Sequence, residues 1–387
     1  MPPSPVRILC TGDVHLGRRP SRVPLGDDAL GTQHVWRAFV EAALQRDVDA
    51  VVLTGDMVDA ENKMYEALGP LERGVQRLLS EAIPVIAVAG NHDFDAFPRL
   101  VGSIEDDRFH LLGPDGTWDA VTITGAGGRP VRFVGWSFPE ATVRRSPLDG
   151  ANLSASPEPT LGVLHCDAGR STGRYAPVER SALARAPVDA WLLGHIHKPT
   201  AHRENGQLQL YPGSLQPLDP GETGAHGAWL VTVSGAKKVQ AQRLPLSTVR
   251  YARLPVDITD AEAPDDIEEA VMEAIRQTAA DLTEEHPRLQ HIAYRLVLEG
   301  RTDVHEAAQR YAREIERDLQ LPIGTTGCTA SVEGHVLQTK PSYDLEAVAR
   351  GDGPASVLAH LLHDLETGAP LSSDAEALLP RVRRAVQ

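Results

Sequence analysis

Five short motifs concentrate the residues of this chain that could do chemistry. They are Asp13-Val14-His15, Gly55-Asp56, Gly90-Asn91-His92-Asp93, the isolated His165, and Gly194-His195-Ile196-His197. Their donors are carboxylates, imidazoles and one amide oxygen, without thiolate. That mixture suits Mn²⁺ or Fe²⁺, with Zn²⁺ as an alternative, better than a structural zinc–cysteine site. Asp13, His15, Asp56, Asn91, His165, His195 and His197 are too many ligands for one ion, and about right for two ions sharing a carboxylate. Two such ions, roughly 3.5–4 Å apart, polarise a phosphoryl oxygen and activate water for in-line attack on phosphorus. The alternation in Asp13-x-His15 and His195-x-His197 puts each pair on the same side of an extended segment. His92, beside Asn91, is placed to protonate the leaving alkoxide. A neighbouring carboxylate would hold that imidazole protonated and oriented, and Asp59, three residues after Asp56, is the candidate. One Gly-Asp or His-x-His alone is more often structural than catalytic; five in order, mostly at strand ends, reverse that.

The motifs need elements to position them. Residues 6–10, 49–54 and 84–89 are apolar, strand-like runs. Residues 34–45 and 65–82 have helical periodicity between them. This βαβαβ order predicts parallel strands with right-handed crossovers, whose carboxyl ends would bring the motifs to one edge of a sheet. Further strands are expected at 131–136, 161–164, 190–193, 208–211 and 228–233. Residues 137–160 and 212–227, rich in Gly, Pro and Ser, read as long loops. Beyond residue 247 the character changes. A strand at 249–256, an acidic helix at 263–285, a strand at 291–298 and a helix at 303–319 predict a small α+β unit. Two amphipathic helices are then expected at 355–367 and 373–386. The expected domains are thus 1–247, 248–340 and 341–387.

The 387 residues carry 38 Lys and Arg against 53 Asp and Glu, a formal charge of −15. That balance argues against a non-specific nucleic-acid coat protein. It leaves a nuclease open, because charges more than about 10 Å apart are largely screened at physiological salt. Three cysteines (Cys10, Cys166 and Cys328) argue against a disulfide framework and for a reducing compartment. No apolar stretch reaches the ~20 residues needed to span a bilayer, so a cytoplasmic protein without membrane association is expected.

The series GDVH, TGDMVD, GNHD, LHCDAG and GHIHKP resembles the calcineurin-like metallophosphoesterase superfamily. Within it the chain looks most like the SbcD-type DNA repair exonucleases, from its GDVHLG opening and from GHIHKP followed by Tyr211-Pro212-Gly213-Ser214. Residues 215–227 look more like a bacterial branch of DNA repair exonuclease-like phosphoesterases. The resemblance implies an α/β fold of two central β-sheets flanked by helices, with a smaller α+β domain capping the cleft. It implies one ion held by Asp13, His15, Asp56 and His197, the other by Asp56, Asn91, His165 and His195, and Asp56 bridging. His92 would donate the proton, and Asp59 stands where relatives carry Asp or His. Mn²⁺ as the usual metal, homodimerisation and an SMC-like coiled-coil ATPase partner are implied as well.

Arg18, Arg19 and Arg22 directly follow the first motif, Arg170 and Arg174 follow His165, and Lys198 follows His197. All six are candidate contacts to a DNA backbone. Cys10, Cys166 and Cys328 read as packing residues. Val357, Leu358, Leu361, Leu362 and Leu365 form a helical stripe suited to internal packing or to the ATPase partner. The leading expectation is an Mn²⁺-dependent DNA nuclease in repair. Its rivals are a metallophosphoesterase for nucleotides, cyclic nucleotides or phosphoproteins, and an inactive scaffold.

Overall fold

A computed structural model describes residues 3–24, 28–59, 67–324, 327–342, 348–351 and 353–371. Its first 245 residues form two stacked six-stranded sheets. In the first sheet β1 (Val6–Thr11), β2 (Ala50–Leu53), β3 (Val85–Ala87) and β4 (Phe109–Leu111) run parallel. Helices α1 (Thr32–Gln45), α2 (Leu68–Ser80) and α3 (Phe97–Ser103) fall between them in the sequence. β13 (Gly227–Gly235) and β14 (Lys238–Pro245) extend this sheet antiparallel beyond β1.

In the second sheet β6 (Pro130–Trp136), β7 (Thr160–His165), β10 (Ala190–Gly194) and β12 (Gln207–Tyr211) run parallel. Antiparallel β5 (Asp119–Thr124) and β11 (Thr200–Glu204) close its edges. A two-stranded pair, β8 (Asp167–Ala168) and β9 (Pro177–Val178), and helix α4 (Arg180–Arg185) lie between β7 and β10 in the sequence.

Side-chain alternation along each strand builds the layers. Ile8, Cys10, Ala50, Val52 and Ile86 of the first sheet meet Leu161, Val163, Ala190, Leu192 and Leu210 of the second in one buried layer. Leu9, Val51, Leu53, Val85 and Ala87 point the other way, against Val35, Trp36 and Phe39 of α1 and Leu71, Val75 and Leu78 of α2. On the far face of the second sheet Leu164, Trp191 and Leu193 pack with Leu183 of α4. Strands buried on both faces read as unbroken apolar runs, which is why the sequence announces them. Each fully buried Val, Leu or Ile contributes about 1.5–3 kcal/mol.

The expected single sheet edge is thereby corrected. The first three motifs follow strands of one sheet, and His165, His195 and His197 belong to the other. Six strands escaped the sequence reading of this part, and β8 and β9 are only two residues each. β5 and β11 are largely exposed, β4 is three residues long, and β14 alternates with mostly polar residues.

Beyond residue 247 come β15 (Val249–Asp257), α5 (Pro264–Glu285), β16 (His291–Thr302), α6 (His305–Asp318), β17 (Leu321–Ile323), β18 (Cys328–Pro341) and α7 (Pro354–Thr367). The strands form one sheet in the order β15-β16-β18-β17. In α5 the buried Ile267, Val271, Ile275 and Ala279 recur every fourth residue, which gives the helix its inward stripe. β17 and β18 were absent from the sequence reading. The helix expected at 373–386 and the first residues of the one expected at 65–82 lie outside the described residues.

The chain divides into two compact units. One comprises Met1–Leu254, Ile275–Leu296 and Ile315–Gly334; the other comprises Pro255–Ala274, Val297–Glu314 and His335–Gln387. In the second unit α7 buries Ala359 and Leu361 but exposes Val357, Leu358, Leu362 and Leu365. Most of the expected apolar stripe is therefore exposed among the described residues. Among the described residues no helix is long and apolar enough to cross a membrane.

Candidate active site

Each motif begins where a parallel strand stops. The backbone turns sharply there, and Asp13, His15, Asp56 and His195 hold φ of 48°, 46°, 50° and 98°. Non-glycine residues in this left-handed region cost of order 1–3 kcal/mol each, and such strain persists where the surrounding structure fixes it. Hydrogen bonds between motifs do the fixing here. Asp13 N–H donates to the Gly55 carbonyl and His15 N–H to the Asp56 carbonyl. His195 N–H donates to both carboxylate oxygens of Asp13, at 3.0 and 3.1 Å. His92 N–H donates to Asp56 Oδ1 at 2.8 Å.

Two glycines make the close approach possible. Gly55 holds φ +95°, and a Cβ there would stand 2.6 Å from His165 Nδ1. A Cβ on Gly194 would meet the same Nδ1 at 2.6 Å and the Thr54 carbonyl oxygen at 2.1 Å. The His165 ring therefore occupies a slot only glycine leaves open, with Nδ1 3.0 Å from that carbonyl.

Two neighbouring donor groups result. In the first, His15 Nε2 and His197 Nε2 are 3.2 Å apart, and His197 Nε2 is 3.9 Å from Asp13 Oδ1. In the second, His165 Nε2 lies 3.3 Å from Asp56 Oδ2 and 3.2 Å from Asn91 Oδ1. His195 offers a further donor within 4.8 Å of those of Asp56 and His165. In each group all but one histidine is buried, His197 in the first and His195 in the second being partly exposed, and the lone pairs are aimed at common points. Buried donors of this kind fit divalent ions, and all seven expected ligands are gathered.

The electrostatics agree with a site that concentrates charge. Burial disfavours the charged forms of Asp56 and His165. Their mutual attraction outweighs it, holding the Asp56 carboxyl below its usual range and pushing His165 up to about 9. Burial and the His165 charge push His195 down to about 3. Burial works against protonating His197, but the Glu222 hydrogen bond and the Asp13 charge carry its pKa above the ordinary value.

His92 is more accessible than His197; its side chain is 35% exposed against 27% for His197. Asp59, the expected support of His92, lies near it and nearer still to His15. Asp59 Oδ2 lies 4.0 Å from His92 Nδ1 but 3.3 Å from His15 Nδ1. The closer contact is one of charge, not a well-aligned hydrogen bond. Burial holds the pKa of His92 below its usual value despite the opposing charges of Asp56 and Asp59.

Two carboxylates were missed as working parts. Asp93, fully buried, accepts from the amides of Gly90 and Met57 at 2.7 Å each and from Asp56 at 3.3 Å, tying two motif turns together. Burial and the Asp56 charge push it to about 7 against those amide bonds. Its place in Gly90-Asn91-His92-Asp93 was the available signal. Glu222, 3.0 Å from His197 Nδ1, sits in an irregular loop where the sequence offered none.

The basic residues divide. Arg18 reaches the site, 3.8 Å from Asp59 and 3.5 Å from Asp219. Arg174 lies over the Tyr175 ring, which in turn packs 5.1 Å from the His195 ring. Arg19 pairs with Asp28, and Arg170 with Asp167. Arg22 and Lys198 are exposed. Cys10, Cys166 and Cys328 are buried thiols, and burial raises the pKa of each.

Two stacked sheets with histidines and carboxylates at the ends of their parallel strands define a metal-dependent phosphoesterase. A model of the calcineurin-like phosphoesterase family matches residues 6–199, and the chain belongs to that family. A second model, the middle domain of metallophosphoesterase YhaO, matches residues 251–340. The chain is 28% identical over 233 residues to the uncharacterized metallophosphoesterase YhaO of Bacillus subtilis, covering 58% of this chain and 55% of that protein. It is 27% identical over 295 residues to the DNA double-strand break repair protein Mre11 of Haloferax volcanii, covering 72% of this chain and 60% of that protein. The Aeropyrum pernix protein of the same name is 28% identical over 295 residues, covering 71% and 69%. The chain thus spans 55% of the YhaO relative and 60% of the first Mre11 relative.

Proposed function

We propose that this phosphoesterase is a DNA exonuclease or endonuclease acting in DNA repair with two Mn²⁺ ions. The observation that carries the reading is the convergence of seven ligand-type side chains around Asp56, drawn from five strand ends. One ion would be held by Asp13, His15, Asp56 and His197, the other by Asp56, Asn91, His165 and His195, with Asp56 shared. When bound, the ions polarise the phosphoryl group and activate the attacking water.

The rest is done by the chain. The amide bonds among the motif turns fix the ligands before any substrate arrives, so little reorganisation accompanies reaction. His92, the accessible imidazole, takes up the proton released by the attacking water and gives it to the leaving alkoxide oxygen. Arg18 and Arg174 stand where a phosphate backbone would pass, with Arg19, Arg22, Arg170 and Lys198 as outer contacts.

The likeness to Mre11 proteins supports DNA as substrate and an SMC-like ATPase as partner, with a homodimer as the assembly. Residues 1–247 would form the nuclease domain and 248–340 an accessory DNA-binding cap. Residues 341–387, with the exposed apolar face of α7, would dock the ATPase. The formal charge of −15 favours a second reading, a small-substrate phosphoesterase. Hydrolysis of bis-p-nitrophenyl phosphate, linear duplex DNA and mononucleotide esters by Mn²⁺-loaded protein separates the two. The nuclease reading expects turnover of the first two substrates. Turnover of mononucleotides with none of DNA would select the second.

A further inference from the structure

The loop between β12 and β13 reaches back to the metal-binding cluster through a single carboxylate. Glu222 divides its two oxygens. Oε1 lies 3.0 Å from His197 Nδ1, while Oε2 accepts from Ser214 Oγ at 2.6 Å and from Leu218 N–H at 3.2 Å. Its side chain is only 12% exposed, and a buried carboxylate is stable only when paired and hydrogen-bonded in this way.

The tautomers follow from the partners. An ionised carboxylate only accepts, so His197 Nδ1 must carry the proton. Its Nε2 then presents to Asp13 and His15 either a lone pair or, in the protonated ring, a proton that an ion displaces. The Ser214 hydroxyl gives its single proton to Glu222, so it accepts from His226 Nδ1 at 2.9 Å. His226 is then protonated on Nδ1, and its buried Nε2 is an acceptor with no hydrogen-bond partner among the described residues.

The same loop is bound to the cluster by its backbone. Ser214 N–H donates to the His197 carbonyl at 2.9 Å, and Ser214 bridges to Gly12, next to Asp13. In the other group His165 Nδ1 faces the Thr54 backbone carbonyl at 3.0 Å.

We infer that Glu222 is a positioning residue for the ion held by Asp13, His15 and His197, orienting and enriching the His197 imidazole while Ser214 and His226 hold Glu222 in place. Carboxylates behind metal-binding histidines raise ligand basicity, and their loss typically weakens metal binding 10–100-fold. This inference rests on the two-ion reading of the centre.

The test is calorimetric titration of metal-free, full-length protein with Mn²⁺, beside thermal melting and histidine ¹H–¹⁵N correlation spectra. Wild-type protein should bind two equivalents and show His197 protonated on Nδ1. Glu222→Ala should weaken one equivalent about 10–100-fold and leave the other unchanged. Glu222→Gln, which keeps an acceptor for His197 and tests the same point if the alanine variant does not fold, should recover part of the loss. Ser214→Ala should weaken the same equivalent less. Wild-type affinity at both sites in Glu222→Ala would overturn the inference alone, as would equal weakening of both together with a lowered melting temperature. Failure of wild-type protein to bind two equivalents would overturn the two-ion reading with it.

Discussion

The Asp59 carboxylate stands 3.3 Å from Nδ1 of His15. The same oxygen is 4.0 Å from Nδ1 of His92. One acid therefore faces both a candidate ligand and the candidate proton donor, and lies nearer the ligand. Asp59→Asn should lower kcat and also weaken Mn²⁺ binding, by about 10-fold or more. Steady-state kinetics with calorimetry check this. A fall in kcat with unchanged metal affinity would return Asp59 to serving His92 alone.

His92 is not one of the seven expected ligands; it groups with His15 and Asp59, and it is more exposed than His197. His92→Ala should lower kcat about 10²–10⁴-fold while two equivalents of Mn²⁺ still bind. Turnover at the wild-type rate would remove it from the mechanism.

The His165 pKa predicts how metal-free protein responds to pH. Its folded value is raised to about 9, above the ordinary histidine value, so its contribution to stability is full below about 6.5. That contribution is lost as pH rises through 9. Metal ligation requires the neutral ring. Between pH 6.5 and 9 the melting temperature of metal-free protein should therefore fall while apparent Mn²⁺ affinity rises. Parallel melting and titration series check both slopes, and a flat affinity across this window would contradict the assigned role of His165.

Gly55 offers a test of how the slot is built. Gly55→Ala adds a Cβ 2.6 Å from His165 Nδ1 and 2.8 Å from the Gly90 amide, at φ +95°. It should cost about 1–3 kcal/mol and reduce metal binding. Gly150→Ala shares the positive φ (+73°) but meets nothing within 4 Å, so it should lose only stability. Equilibrium denaturation and Mn²⁺ titration of the pair separate strain from crowding.

Much of this site was legible because β1, β2, β3, β7 and β10 are buried on both faces. Each appears as an apolar run that stops at a polar motif. The same property left the strand pattern unable to divide the strands between the two sheets that the family resemblance implies and the structure shows. A strand apolar on both sides does not disclose which side faces the second sheet, so Ile8 and Leu9 look alike in sequence and pack in different layers. Glu222 was invisible for another reason. It meets His197 across 25 residues from a loop rich in Gly and Pro, where no periodicity marks the inward side chains. Asp59 was found in the sequence as a neighbour of His92, but its closer approach to His15 was not, because spacing from Asp56 fixes its turn and not the rotamers around it.

The central claim is that the cluster around Asp56 cuts DNA. The most direct measurement is cleavage of end-labelled linear duplex DNA by Mn²⁺-loaded protein, beside an Asp56→Ala control. A ladder of products from the wild-type protein alone, abolished by chelation of the metal, is the predicted result. Intact DNA in a preparation that hydrolyses mononucleotide esters, or equal cleavage by the Asp56→Ala protein, would contradict it.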